Sequence, residues 1–375
     1  MSETKERQIV KINKKHGGKE FRSFFHFVGK VKHVRKRDEG SNSWVDVPFV
    51  EEGISEKNMK PYKKLQLIVE TAPTNELKVE LFGMEQDYVY PFSSKHQQVA
   101  KVGWSDRYNK EKYPDETYHL ISKPDWDKID EYAKVLEKDV WVEVKGHYEP
   151  QEFTSEDGKQ NLFVRRVINE LKIVHDGQEI KQGRDKITYV TDFANPEFTE
   201  VNYFSMQVGI RSTYQDENTG DTKVNGVYLM YGKDRSEPVD VELMVYQKET
   251  PKGKRSLADA FATLEYGDFI EVFGRDNNRA EFEYRPVEVI VEDDPFADID
   301  ESQKQIRYER VALGTKKGLE ITGVVDGTLI RNFLTEEEMT KSAQVTTESP
   351  FEQNNEDPFA QYSKPLDVND DDLLF

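Results

Sequence analysis

The chain repeats itself. The segment EKDVWVEVKG, from Glu137 to Gly146, returns as EYGDFIEVFG from Glu265 to Gly274, a period of about 125 to 130 residues. Both copies end a helical pattern and begin a strand. A period of this length duplicates a domain; it does not build a solenoid.

The surroundings of the two copies match in order as well as in wording. Upstream lie helical patterns, Asp125 to Leu136 with Trp126, Ile129, Tyr132, Val135 and Leu136 on one face, and Ser256 to Leu264 with Leu257, Ala260, Phe261 and Leu264. Asp125 and Ser256 are the N-cap candidates. Before each helix stands an alternating strand, Glu76 to Gly83 and Val239 to Tyr246, and before those Lys64 to Glu70 and Val227 to Tyr231, joined to them by turn residues. Each half opens with an aromatic-rich strand, Phe21 to Val34 and Val201 to Arg211, interrupted by Gly29 and Gly209 as a bulge or bend would be. Each closes with one more strand, Leu162 to Val174 and Glu281 to Val291, the latter entered through a turn at Asn277-Asn278.

Strand, strand, strand, helix, strand, strand, written twice, predicts a mainly β protein of two tandem five-stranded OB-type barrels, each with a helix between its third and fourth strands. The boundaries follow: a basic flexible arm at 1–19, a first barrel at 20–177 with a long loop at 90–122, and a linker at 178–197. A second barrel is expected at 198–292, a partly structured extension at 293–335, and a disordered acidic tail at 336–375.

Charge is distributed unevenly. The formal net charge is -19, yet residues 1–37 hold twelve Lys/Arg against three Glu, a net of +9, and residues 336–375 hold eleven Asp/Glu against two Lys, a net of -9. A basic front and an acidic tail suit a protein that grips a polyanion with one part and keeps the other away from it. The absence of cysteine excludes disulfides and thiolate chemistry. The seven His show no metal-ligand spacing and there is no phosphate-binding glycine loop, so no cofactor, no metal and no enzymatic activity are expected. With no long apolar run and no signal-peptide core at the N-terminus, the expectation is a cytoplasmic protein without a membrane partner.

Binding single strands without sequence preference requires cations for phosphates and exposed rings for bases. In the first half the candidates are Lys30, Lys32, Arg35, Trp44, Tyr88, Tyr90, Trp104, Arg107, Tyr108 and Tyr148. In the second they are Tyr203, Arg211, Tyr214, Tyr228, Tyr246, Lys252, Lys254, Arg255 and Arg275, with Lys252 to Arg255 in the loop before the helix. A tyrosine on a strand serves core packing as readily as stacking, and spacing alone does not choose. Alternation puts Phe25 and Phe27 inside, Tyr203 and Arg211 outside. The long loop is expected to fold over a bound strand.

The last six residues, Asp370, Asp371, Asp372, Leu373, Leu374 and Phe375, resemble the C-terminal tip of bacterial and bacteriophage single-stranded DNA-binding proteins. In that family several Asp precede an aliphatic residue, Pro and a terminal Phe; Leu374 stands where the family has Pro. The resemblance implies sequence-nonspecific protection of single-stranded DNA in replication, recombination or repair. It further implies a tip that docks replication partners such as helicase, polymerase or primase, and a bacteriophage protein working in host cytoplasm. Two barrels in one chain predict a monomer or dimer. Three readings stay open beside this one: an OB-fold adaptor that binds no nucleic acid, a nuclease or ligase accessory, and an RNA-binding protein.

Overall fold

The structure is a computed structural model; it describes residues 9–38, 40, 43–154, 160–182, 185–232, 234–251, 253–288 and 306–340. The N-terminal segment forms a small hairpin, β1 (Lys11–Ile12) and β2 (Lys19–Glu20). The first barrel begins with β3 (Ser23–Lys32), whose Phe25, Phe27 and Val31 are fully buried, as their alternation requires. A connection carrying β4 (Arg35–Arg37), β5 (Trp44–Asp46) and β6 (Val50–Ile54) leads to β7 (Pro61–Ala72) and β8 (Asn75–Met84). Five short strands follow, β9 to β13 (Tyr88–Val89, Phe92–Ser93, Gln98–Val99, Val102–Gly103 and Tyr118–His119), then α1 (Asp125–Ala133), β14 (Trp141–Thr154) and β15 (Gln160–Ile173).

Pairing closes this barrel in the order β3, β7, β8, β15, β14 and back to β3. The β8–β15 contact is parallel, with Val167 opposite Glu80, and every other contact is antiparallel. That is the OB arrangement.

A second hairpin, β16 (Glu179–Gln182) and β17 (Asp185–Thr188), occupies the stretch expected to be a linker. It is held by its own apolar cluster, in which Ile180 and Tyr189 meet Val28, Val174 and Val201, with Trp141 and Phe198 packed alongside. Trp141 therefore lies under neighbouring rings.

The second barrel comprises β18 (Val201–Gln215), β19 (Thr222–Met230), β20 (Glu237–Val245), α2 (Leu257–Phe261), β21 (Phe269–Glu288) and β22 (Ile306–Val324). It closes in the same order, with a parallel β20–β22 contact at Leu243 and Leu319. Here the sequence expectation needs correcting. The segment from Glu281 continues the fourth strand to Glu288, and the fifth strand lies at Ile306–Val324, inside the expected extension. Asn277 and Asn278 make no turn, because the Asn277 amide reaches Glu320 at 2.9 Å while the Asn278 backbone N–H donates to Asn75 at 2.8 Å. After β22 the chain packs Leu334 and Met339 into the core and ends its described part in α3 (Glu336–Met339), fixed by a Thr335–Glu338 capping box. Ser256 caps α2 as expected, whereas Asp125 is already helical and Pro124 precedes α1 without a side-chain cap.

The repeated block acquires a physical reason. Gly146 and Gly274 each sit at a bulge. A Cβ at Gly146 would lie 2.0 Å from the Val167 carbonyl oxygen, and one at Gly274 1.7 Å from that of Glu320, so neither position accepts a side chain.

The barrels are joined through their main chains. β3 and β18 pair antiparallel from Val28–Val201 to Ser23–Met206, merging both barrels into one eleven-stranded sheet; Gly29 and Gly209 stand where each first strand passes to its own barrel's second strand. Beside this seam Asp276, wholly buried, takes two hydrogen bonds from Arg166 (2.6 and 2.7 Å) and one from the Tyr148 hydroxyl (2.8 Å). Burial drives the Tyr148 hydroxyl well above its ordinary range; burial works against the Arg166 cation, yet Asp276 raises its pKa all the same. Arg279 pairs with Glu200, which also accepts from Thr71.

Candidate nucleic-acid interface

Oligonucleotides meet OB barrels on the face of strands 2 and 3 and on the connections between strands 1 and 2 and strands 4 and 5. On the first barrel the outward positions of β7 and β8 place Tyr62 and Phe82 in a stack, centroids 5.6 Å apart at 26°. Beside them one nearly buried carboxylate, Glu80, gathers Arg165, Lys64 (3.8 Å) and Lys78 (3.9 Å). Three cations share one anion, and Arg165 reaches Glu149 as well at 3.2 Å. Burial lowers the Lys64 pKa in spite of Glu80. None of these five ring and cation positions was singled out in the sequence. For the four on β7 and β8 the available signal was their alternation with Leu65, Leu67, Val79 and Leu81, all buried, which places them on the open side.

The connection between strands 1 and 2 adds the β4–β5 hairpin. Trp44 is 50% exposed and lies opposite Arg37, while Arg35 pairs with Asp46 at 3.5 Å and Lys36 is exposed. Of the other candidates in this half, Lys30 pairs with Asp139 (3.1 Å) and Lys32 with both Glu70 and Glu76 (2.9 and 2.6 Å).

The loop expected to cover a bound strand has a small core of its own, built from Val89, Val102, Trp104, Tyr113 and Tyr118. Trp104 is therefore a packing residue and presents no stacking face. Arg107 lies over its ring at 4.3 Å and donates two hydrogen bonds to Asp127 (2.9 and 2.7 Å), so it is committed as well. The Tyr108 hydroxyl donates to the same carboxylate at 2.7 Å and is pushed up to about 12, by burial first and Asp127 second. Its ring remains exposed, as do Tyr90 and Tyr88, the last with the Lys101 ammonium 3.7 Å above it.

Tyr148 of the first barrel and Tyr228 of the second, both expected to stack on bases, are buried, one bonded to Asp276 and the other to the carbonyl of Phe21, and neither is available to a base. Arg211 is tied to Asp240 and to the carbonyl of Met339. Tyr203 is half-buried in a row with Phe24 and Phe273, on strands β3, β18 and β21 and off the strand 2–3 face. What remains on the strand 2–3 side is Tyr214, 62% exposed opposite Lys223, and Tyr246 beneath the Lys316 ammonium at 3.7 Å. Nearby, Glu320 holds Lys316 (2.9 Å) and Lys248 (3.5 Å). Burial would raise its pKa, but Lys316 and Asn277 bring it below the ordinary value. Lys254, Arg255 and Arg275 are exposed, and Lys252 lies outside the described residues. Each barrel thus sets one near-buried glutamate, Glu80 or Glu320, at the parallel contact of strands 3 and 5 and surrounds it with cations.

The family model named YorF matches residues 27–356. The chain belongs to the YorF family. The match spans both barrels of this YorF protein and the short element that closes the second. A search of curated proteins found no match. Among solved structures, the wild-type single-stranded DNA-binding protein from Thermus aquaticus is similar at a TM-score of 0.31 and 12% identity, over 79% of this chain and 92% of that one. A deletion mutant of the same protein gives 0.31 and 13%, over 80% and 95%. Among the described residues no group of three or more His, Cys, Asp or Glu is arranged to hold a metal ion, and no helix is long and apolar enough to cross a membrane.

Proposed function

We propose that this chain binds single-stranded nucleic acid, DNA in the first place, without sequence preference and without catalysing a reaction on it. The observation that carries the reading is the first barrel's open face. There the Tyr62–Phe82 stack, the three cations around Glu80 and the half-exposed Trp44 of the adjoining hairpin supply ring surface and positive charge side by side. Stacking contributes about 1–3 kcal/mol per base and tolerates any base, while cations displace the counterions of the phosphates. The second barrel extends the path with Tyr214, Lys223, Tyr246 and Lys316. The acidic tip from Asp370 to Phe375 lies outside the described residues; in this reading it docks partner proteins, with Phe375 and the terminal carboxylate entering an apolar, cation-rimmed pocket.

Fluorescence anisotropy with labelled single-stranded DNA, single-stranded RNA and duplex DNA at two salt concentrations tests the proposal. Tight, salt-dependent binding of single-stranded DNA with weak duplex binding is expected. Equal affinity for duplex overturns the reading, and preference for RNA moves it to the other nucleic acid. A pull-down of replication proteins that survives deletion of residues 367–375 removes the docking role from the tip.

A further inference from the structure

The repeat that matches Gly146 to Gly274 also sets His147 against Arg275. At one place in the fold the second barrel carries a permanent cation and the first a titratable ring. Arg275 is exposed and stands opposite Glu320, the glutamate of its own barrel's cation cluster. His147 lies on β14, on the side it shares with Glu149 and, across the ladder, with Arg165, and through these two it reaches the Glu80 cluster.

The contacts run without a gap. The His147 Nδ1 is 2.9 Å from the Asn169 amide oxygen, and its Nε2 is 3.3 Å from one oxygen of Glu149. The other Glu149 oxygen accepts from Arg165 at 3.2 Å, and Arg165 donates in turn to Glu80, where Lys64 and Lys78 converge. Asp125, at the start of α1, adds a second negative charge toward the ring, while Lys145, two residues back on β14, is turned to Glu143 at 2.7 Å. A neutral imidazole has one N–H; here both ring nitrogens face oxygens, and only the imidazolium donates at each. Burial works against the charged ring, yet Glu149 and Asn169 raise its pKa above the ordinary 6.5.

The consequence follows from the charges. Arg165, Lys64 and Lys78 face two carboxylates, Glu80 and Glu149, which leaves one positive charge in surplus; a charged His147 makes it two. The imidazolium also shares Glu149 with Arg165 and so loosens that carboxylate's hold on the guanidinium. We propose that His147 is a positioning residue of the first barrel's nucleic-acid face, acting through Glu149 on Arg165, and that its protonation tightens the grip of this barrel while Arg275 keeps that of the second constant. The inference rests on the binding proposed above.

Two measurements on the full chain provide the test. The first needs no ligand: the His147 imidazole signals of the isotope-labelled protein are followed against pH. Their midpoint should lie above 6.5 and fall in Glu149→Gln; a midpoint that ignores Glu149→Gln breaks the chain of contacts and overturns the proposal. In the second, oligo-dT binding is measured over a range of salt at pH about 5.5 and about 8.5 for wild type, His147→Gln and His147→Lys. From the lower to the higher pH the wild-type log–log salt slope should shrink by about 0.7, one counterion fewer, and affinity at 0.1 M salt should fall about fivefold. His147→Gln should keep the smaller slope and His147→Lys the larger at both pH values, which separates a lost charge from a lost fold. Other histidines titrate alike in all three proteins, so the difference between them isolates His147. A wild-type slope that does not change, or that changes equally in all three, overturns the inference while oligo-dT binding stands. Failure of oligo-dT to bind at either pH defeats the proposed function, and the inference with it.

Discussion

The two barrels share one strand order and differ in where the chain is lengthened. The first inserts residues 33–60 between strands 1 and 2 and residues 85–124 before its helix, exposing Trp44, Tyr88, Tyr90 and Tyr108 on the barrel that also carries the Tyr62–Phe82 stack. The second turns from β18 to β19 over residues 216–221 and carries its extra length in the β21–β22 ribbon and in the terminal segment that wraps it. A common core therefore supports two different surfaces, and ring surface is concentrated on one of them. Under the proposed function the first barrel is the principal gripping element and the second adds charge; the second also anchors both ends of the described chain, with Lys19 bonded to Phe333 and Glu338.

The largest effect is expected at the seam, where the comparison itself is at stake. Replacing Arg166 with Leu strands the buried Asp276 carboxylate and should remove about 3–5 kcal/mol of stability, read by urea unfolding. Wild type should unfold in one transition; two separate transitions would show the barrels to be independent.

Next in size is Tyr62→Ala combined with Phe82→Ala, which should weaken single-strand binding at least tenfold, since each lost stack is worth about 1–3 kcal/mol. Tyr214→Ala with Tyr246→Ala should cost less; equal losses would erase the proposed division of labour. Trp44→Ala alone should weaken binding about fivefold, the lower end of one stack, with circular dichroism unchanged because the ring is half exposed.

The smallest effect is the pH dependence contributed by one carboxylate of the first barrel, Glu143. The hydrogen bond from His26, followed by that from Lys145, holds Glu143 at about 2, against an ordinary 4.5. A depressed carboxylate stabilises the fold fully above 4.5, and this contribution is lost as pH falls toward about 2. Glu143→Gln should flatten the acid limb of a thermal-unfolding series over that window; an unchanged limb would remove Glu143 as its source.

How much was legible depends on how local the determining contacts are. Duplication, strand alternation and the burial of Phe25 and Phe27 are properties of short segments, and the structure follows them. The fifth strand was misplaced because Asn277-Asn278 reads locally as a turn, while Glu320 and Asn75, distant in sequence, hold both asparagines in an extended strand. Tyr148 keeps step with the buried Val142 and Val144 and packs on Phe25, so its alternation already pointed inward; Tyr228 is made interior by the N-terminal segment, its hydroxyl bonded to the carbonyl of Phe21. Trp104 and Arg107 read as a binding pair for the same reason, since the core of the inserted segment and Asp127 are assembled only in three dimensions. Conversely, the cations around Glu80 come from three strands, and no window of sequence contains them together.

The backbone pairing of β3 with β18 also sets a mechanical property. Barrels on a flexible tether can approach or separate as a bound strand is pulled, and the length they cover varies with tension. Here six residue pairs of continuous sheet fix the distance and angle between the two faces. Under the proposed function, a strand touching both must conform to that interval, and each bound protein should subtract a constant length from a stretched strand. A single-molecule experiment should then read one contraction step, unchanged until the seam itself gives way.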